Sequence, residues 1–199
     1  MEKRSINFEL RAKPESRTIF GTATVFNSSY DMGWYDEEMS PESLNEADMK
    51  DVVALFNHDM NMVLARTSSG TLKLNVTGNA MEYEFEAPNT TLGNDLLEMV
   101  KRGDVYQSSF GFTVETEDWQ ERKGMKPKRV IRSIKKVYDV SPVTYPANPD
   151  TMVAKRSYEA TKEIDKDLQT IIDISVKSEI NIQNELRRNA LHLLNLKTK

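Results

Sequence analysis

A serine, a histidine and an acidic residue in this chain could together carry out nucleophilic hydrolysis. Ser109 lies in the segment QSSFGF, His58 lies upstream in LFNHD, and Asp139 lies downstream in YDVSP. A serine hydroxyl is a weak nucleophile at neutral pH, and it needs a base that removes its proton during attack on a carbonyl. Histidine suits this role, and a carboxylate can hold the ring in the required tautomer. The three residue types therefore indicate a serine hydrolase.

His58 is the better candidate for the base. The chain has only two histidines, and His192 lies in a C-terminal segment that we predict to be helical. The chain order histidine, serine, acid also differs from the three familiar orders of serine hydrolases. This order indicates a separate lineage of serine protease.

The segment around Ser109 has the pattern of a strand. Alternation places Ser109 and Gly111 on one face, and Phe110 and Phe112 on the other. We expect the aromatic face to anchor the strand in the core. The opposite face is expected to stay open to a peptide, because Gly111 has no side chain to block it. Asp139, on a half-buried strand face, would need a partner such as His58.

Each of the three residues also has a structural interpretation. A lone serine on a strand is usually structural, and His58 could be a loop-end residue with its own hydrogen bond. Asp139 could be a solvated charge at a strand edge. Spacing and alternation by themselves leave these alternatives open.

The elements that must position these side chains are mostly strands. We predict strands over residues 19–26, 51–56, 71–76, 81–86, 105–114 and 130–140. A short helix begins at Ser40 and Pro41, and a second covers residues 91–102 and ends at Gly103. Segments 27–34 and 115–128 are predicted to be loops, the latter joining two strands of a hairpin.

The chain is predicted to form two parts. Residues 1–155 form one mostly β domain. Residues 156–199 form a tail of one or two amphipathic helices, which contains no glycine or proline. The tail could dock on a partner, support dimerisation or be removed by self-cleavage.

The composition restricts the possible functions. The net charge of −4 and the pI of about 5.4 disfavour nucleic acid as the main partner, so the basic side chains within residues 122–136 are interpreted as a solvated hairpin. The absence of cysteine excludes disulfides and thiolate metal sites, and one usable histidine disfavours any other metal site. We expect no cofactor, no membrane span and an intracellular location.

Three segments resemble the prohead maturation proteases of tailed phages, which are similar to the herpesvirus assemblin proteases. The first is LFNHD with the following VLAR, the second is VKRGD leading to SFGF, and the third is YDVSPVTYPANP. The resemblance covers residues 5–155, with all three segments in the family order.

The resemblance implies a serine endopeptidase in which Ser109 is the nucleophile, His58 the general base and Asp139 the orienting acid. It implies an antiparallel β-barrel flanked by short helices, in an assemblin-like fold. The implied substrate is the scaffolding segment of the phage major coat protein, and the protease itself. The implied location is the host cytoplasm, inside the immature capsid, with a homodimer or higher oligomer as the working form.

The sequence departs from the family pattern at three positions. Asp139 stands where glutamate is usual, Ala65 where glycine is common, and Ser108 where an apolar residue is typical. Ser108 is thereby a competing nucleophile, although alternation points it towards the core. Asp139 is shorter by one methylene, which leaves open whether it is the third catalytic residue.

Two functions of other classes fit the same sequence. One is a non-enzymatic capsid scaffold or assembly chaperone that acts through the helical tail. The other is a small β-barrel binding module without catalysis. The scaffold predicts that loss of the Ser109 hydroxyl changes nothing. The binding module predicts no reaction with a serine-directed phosphonylating reagent under conditions where capsids mature.

Overall fold

A computed structural model describes residues 1–6, 10–12, 15–145 and 151–197 of the chain. The chain divides into two units, Met1–Thr151 and Met152–Lys199. The first unit contains all the strands described here, and the described part of the second is helical.

Most of the first unit is β-structure. Its described strands are β1 (Glu2–Ile6), β2 (Arg11–Ala12), β3 (Thr18–Val25), β4 (Ser29–Asp31), β5 (Asp36–Met39), β6 (Val53–Leu55), β7 (Val63–Arg66), β8 (Leu72–Val76), β9 (Ala80–Glu86), β10 (Gln107–Gln120) and β11 (Lys128–Val143). A 3-10 helix covers Pro41–Leu44, and helix α1 covers Thr91–Arg102. The mostly β character predicted from the sequence is confirmed.

The strands form two sheets. One has the order β1-β10-β11-β5-β4, and β6 also pairs with β11 and carries β7. The other has the order β2-β3-β9-β8. Neither sheet closes on itself within the described residues, so the predicted barrel is not observed there. Strands β1 and β4 end the main path of the first sheet, and bulges bend the β10–β11 hairpin between Gly111 and Glu117.

Apolar side chains from both sheets and from α1 form one core. Its members include Ile19, Ala23, Val52, Met81, Phe85, Leu96, Phe110, Phe112, Ile134 and Val140. Strands β3 and β9 alternate between buried and more exposed side chains, which is the period-2 pattern of a sheet with one face on the core. This core supports β10 and β11, the strands that carry two of the three candidate residues.

Helix α1 has the bounds that its sequence predicted. The Thr90 side chain accepts a hydrogen bond from the amide of Gly93 and caps the first turn. Gly103 adopts a left-handed conformation with φ 82° and ends the helix, as glycine does at many C-termini.

Two segments predicted to be loops contain strands. Strand β4 lies within 27–34, and β10 continues to Gln120 within the predicted loop 115–128. Charged side chains gave that second segment its loop-like composition. Several of them instead pair between the two strands of the hairpin: Arg132 with Asp118, Lys135 with Glu115, and Arg129 with Glu117.

The second unit is helix α2, Thr151–Lys197. It exposes a series of apolar side chains: Ile164, Leu168, Ile171, Ile172, Ile174 and Val176. In the described part of the chain, no helix combines the length and apolar character needed to cross a bilayer. Residues 146–150, on which the predicted extended proline-rich stretch partly falls, lie outside the described residues.

Candidate active site

The register of the β10–β11 hairpin brings Ser109 and Asp139 to one place. The strands are antiparallel, with Ser109 opposite Ser141 and Gly111 opposite Asp139. Side chains two residues apart on a strand, and those directly opposite on its neighbour, share one face of the sheet. Ser109 and Asp139 therefore project from the same face, on adjacent strands.

Strand alternation separates Ser109 from Ser108, as predicted. Ser108 lies on the core face, where its hydroxyl is 2.9 Å from the hydroxyl of Tyr83. Phe110 and Phe112 lie on that face too, fully buried, with ring centroids 4.5 Å apart. Their burial fixes which face of β10 is available for chemistry.

The turn that follows β6 positions His58. Strand β6 runs parallel to β11, so the chain leaves it beside the end of the β10–β11 hairpin. Asn57 and His58 then adopt the left-handed conformation, with φ values of 54° and 57°. Asparagine and histidine are among the few non-glycine residues enriched in this region. The two residues reverse the direction of the chain, which places the imidazole of His58 beside β10 and β11.

Asn57 fastens this turn to the end of β11. Its amide donates to the carbonyl of Pro142 (3.0 Å), and its side-chain oxygen accepts from the amide of Thr144 (2.9 Å). Its side-chain nitrogen donates to the Thr144 hydroxyl at 3.2 Å. The residue immediately before His58 is therefore tied to the end of the strand that carries Asp139.

The imidazole of His58 lies between the other two side chains. Its Nδ1 is 2.5 Å from Oδ1 of Asp139, and its Nε2 is 2.6 Å from Oγ of Ser109. An ionised carboxylate can only accept a hydrogen bond, so Nδ1 carries the hydrogen. In the neutral ring Nε2 is then an acceptor directed at the serine hydroxyl. This is the tautomer that a general base requires.

Two further residues determine the position of the Asp139 carboxylate. The hydroxyl of Ser141 donates to its Oδ1 at 2.7 Å. Gly111 makes room for its other oxygen, because a Cβ at that position would lie 2.3 Å from Oδ2. The glycine thus accommodates the carboxylate, which differs from the predicted role of keeping the face open.

The face around Ser109 is covered, contrary to the expectation that a peptide could approach it freely. Strand β1 pairs with β10 along this segment, with Ser5 opposite Ser109. The Ser109 hydroxyl also lies within hydrogen-bond distance, 2.8 Å, of the carbonyl oxygen of Arg4. Ser109 is 0% exposed, and the side chains of His58 and Asp139 are 5% and 4% exposed.

A buried ion cluster fixes β1 to the sheet. Arg4 pairs with Glu2 and with Glu37 of β5, and Arg129 of β11 pairs with both carboxylates. Burial by itself would raise the pKa of Glu2, but hydrogen bonds and charges from Arg129 and Arg4 lower it below 4.5. The same carboxylates raise the pKa of both guanidinium groups. Glu2, Arg4 and Arg129 therefore stay charged at neutral pH.

The described residues contain no cluster of three or more histidine, cysteine, aspartate or glutamate side chains that could hold a metal ion.

Basic residues of the β10–β11 turn form ion pairs with carboxylates. Arg122 pairs with Asp36, and Lys126 pairs with Asp31 at 2.5 Å. These two cations therefore neutralise carboxylates of the same protein.

Sequence reasoning missed four contributors to the site. Ser141 lies two residues from Asp139, a spacing that could have indicated a shared strand face. The hydrogen bonds from the Asn57 side chain to Thr144 could not be predicted, because only the position of Asn57 next to His58 pointed to this residue. The Arg4 carbonyl and the opposing strand β1 had no signal, because a backbone atom gives none and the charged segment EKRSI does not resemble a buried strand.

Comparison with known proteins addresses the family. No curated protein and no solved structure matches the chain, so the relation to herpesvirus assemblins stays a prediction. A family model described as Caudovirus prohead serine protease matches residues 6–164, which include Ser109, His58 and Asp139. The chain therefore belongs to the Caudovirus prohead serine proteases, the serine peptidases of phage capsid maturation.

Proposed function

We propose that this protein is a serine endopeptidase in which Ser109 is the nucleophile, His58 the general base and Asp139 the orienting acid. The observation that carries the proposal is the position of one imidazole within hydrogen-bond distance of both the hydroxyl and the carboxylate. Membership of a serine protease family supports the same assignment.

In the proposed reaction, Oγ of Ser109 attacks the scissile carbonyl carbon while Nε2 of His58 accepts the hydroxyl proton. His58 then gives that proton to the leaving amine as the C–N bond breaks, which leaves an acyl-enzyme. Water attacks the acyl-enzyme by the same route and regenerates Ser109. Asp139 stays ionised, holds the ring in its tautomer and stabilises the positive charge that the ring acquires.

The proposed substrate is the scaffolding segment of the phage major coat protein, and the protease also cleaves itself. The work takes place inside the immature capsid in the host cytoplasm, with the enzyme as a homodimer or higher oligomer. The family supports these assignments through its role in prohead maturation. The fold that we propose for the catalytic part is the assemblin-like barrel of the family.

Co-production with the coat protein, followed by mass spectrometry of both chains, tests the proposal. Ser109→Ala is expected to abolish cleavage of the coat protein and of the enzyme, because no other hydroxyl contacts His58 among the described residues. Ser108→Ala is the matched control, since that serine lies on the opposite face and bonds to Tyr83. It is expected to keep cleavage.

Normal processing by Ser109→Ala would refute the proposal. The scaffold hypothesis predicts that result, and it also predicts that deletion of residues 157–199 abolishes assembly. Loss of processing in Ser108→Ala with retention in Ser109→Ala would move the nucleophile to the neighbouring serine.

A further inference from the structure

We propose that strand β1 is an internal inhibitor that occupies the place of an extended polypeptide substrate beside Ser109 and keeps the protease latent. The inference rests on the proposed function, because it requires Ser109 to be the nucleophile. Activity then requires β1 to leave the edge of β10.

The first argument is access. Ser109 is fully buried, and His58 and Asp139 expose only a small fraction of their side chains. A nucleophile must come within bonding distance of a carbonyl carbon, so some element has to move before a substrate can bind. Strand β1 is that element, because its backbone contacts the Ser109 hydroxyl directly.

The second argument concerns the hydroxyl hydrogen. Oγ of Ser109 has two acceptors within reach, Nε2 of His58 at 2.6 Å and the carbonyl of Arg4 at 2.8 Å. A hydroxyl has a single hydrogen to donate. A hydrogen bond to Arg4 therefore competes with the transfer to His58 on which attack depends.

The third argument is the position of β1 in the sheet. It ends the strand order and pairs as a strand with β10 alone, so its departure breaks no other strand pairing among the described residues. Its departure would expose the edge of β10 from Ser108 to Phe112. An extended peptide can add to such an edge as a new strand, which would bring its own carbonyl to Ser109.

The fourth argument is the means by which β1 is held. Arg4 bonds to Glu37 through two nitrogens, and Glu2 bonds to Arg129, so the attachment depends on side chains. Removal of one partner of a buried ion pair is strongly destabilising for the contact. Variants of Arg4 should therefore loosen β1 while the proposed catalytic residues stay unchanged.

The rate of covalent labelling of Ser109 by a fluorophosphonate tests the inference on the full chain. Arg4→Ala is expected to raise this rate roughly tenfold or more over wild type, which corresponds to ~1.4 kcal/mol in the opening equilibrium. Lys3→Ala is the matched control, because it removes a cation from the same strand without touching the ion cluster. Its rate is expected to equal that of wild type.

Two additional measurements keep the test decisive if Arg4→Ala does not fold. Arg4→Lys keeps the charge but loses the two-pronged contact with Glu37, and it is expected to raise the rate by a smaller factor. A synthetic peptide of residues 1–6, added in excess to the faster variant, is expected to slow its labelling towards the wild-type rate.

The outcomes separate this inference from the proposed function. Equal labelling of wild type and of folded Arg4 variants would overturn the inhibitory role while leaving Ser109 as the nucleophile. No effect of the peptide would also count against it. Absence of labelling at Ser109 in every variant would overturn both the nucleophile and the inhibitor.

Discussion

At the scale of single residues, the site depends on which face of β10 a hydroxyl occupies. Ser108 and Ser109 are adjacent and chemically identical, yet one bonds to Tyr83 and the other to His58. The buried stack of Phe110 and Phe112 fixes this choice, because a one-residue slip of the strand would take both rings out of the core. Packing of the aromatic face thus selects which of the two serines faces His58.

Asp139 reaches His58 although its side chain is short, with 2.5 Å between Oδ1 and Nδ1. Its partner across the hairpin is Gly111, and a Cβ there would meet Oδ2 at 2.3 Å. We expect Gly111→Ala to displace the carboxylate and to lower kcat by about a hundredfold, because small misplacements of catalytic groups have large effects on rate. Steady-state cleavage of a coat-protein peptide would measure this change.

Gly78→Ala is the control for Gly111→Ala. A Cβ at Gly78 meets nothing within 4 Å, so the substitution is expected to leave both kcat and the unfolding temperature unchanged. Wild-type kcat in Gly111→Ala would show that the close approach of Asp139 to this strand is irrelevant to catalysis.

At the scale of elements, the decisive feature is the turn from β6 to β7. It is a short connection with two consecutive left-handed residues, Asn57 and His58, and side-chain bonds from Asn57 to Thr144 hold it against β11. Strain of this kind persists where surrounding contacts over-determine the conformation. The turn therefore fixes the orientation of the His58 imidazole relative to β11, the strand with which β6 pairs in parallel.

Substitution of Asn57 tests this role. Asn57→Ala is expected to lower kcat/KM about tenfold, because two hydrogen bonds that hold the turn are lost. It also places alanine in the left-handed region, at a cost of roughly 1 kcal/mol in the free energy of unfolding.

Asn57→Gly separates the loss of the side-chain hydrogen bonds from the cost of the left-handed conformation. Glycine tolerates the positive φ but lacks the side-chain bonds, so we expect it to be more stable than Asn57→Ala while losing similar activity. Urea unfolding and peptide cleavage would measure both properties. Full activity in Asn57→Gly would mean that the clamp does not position His58.

At the scale of the whole molecule, a buried ion cluster joins the start of the chain to β5 and β11. Arg4, Arg129, Glu2 and Glu37 are each nearly inaccessible to solvent, and Arg129 also pairs with Glu117 of β10. Such a cluster contributes little net stability compared with apolar packing, but each member is costly to remove by itself. Its consequence is a strand, β1, whose attachment is sensitive to one substitution and to acid.

The pKa of Glu2 gives this sensitivity a direction. Because that pKa is lowered in the folded protein, its carboxylate contributes stability above 4.5, and the contribution is lost as the pH falls through the lowered value. We expect Glu2→Gln to reduce the free energy of unfolding by roughly 2 kcal/mol at neutral pH. Urea unfolding over a pH series should show this difference shrink in acid.

Glu46→Gln is the control for Glu2→Gln, because Glu46 is exposed and outside the cluster. It is expected to leave stability unchanged across the series. A difference for Glu2→Gln that stays constant down to low pH would contradict the proposed linkage.

Much of the fold could be predicted because it depends on local patterns. Helix α1 and the β8–β9 hairpin lie close to their predicted bounds, since capping residues and period-2 alternation are written in neighbouring residues. The chemistry of Ser109, His58 and Asp139 was likewise indicated by residue type and by resemblance to a family. Their catalytic roles stay predictions until variants are measured.

The tertiary structure decided what distant segments do to one another. Strand β1 was not predicted, because its charged side chains are stabilised in the interior only by partners such as Glu37 and Arg129, far along the chain. The extension of β10 depends on cross-strand charge pairs, which no local pattern specifies. The sequence by itself determined which side chains could react and on which strand face they lie. Only the folded chain decided that they meet and that a backbone carbonyl covers the Ser109 hydroxyl, because hydrogen bonds between remote segments depend on register.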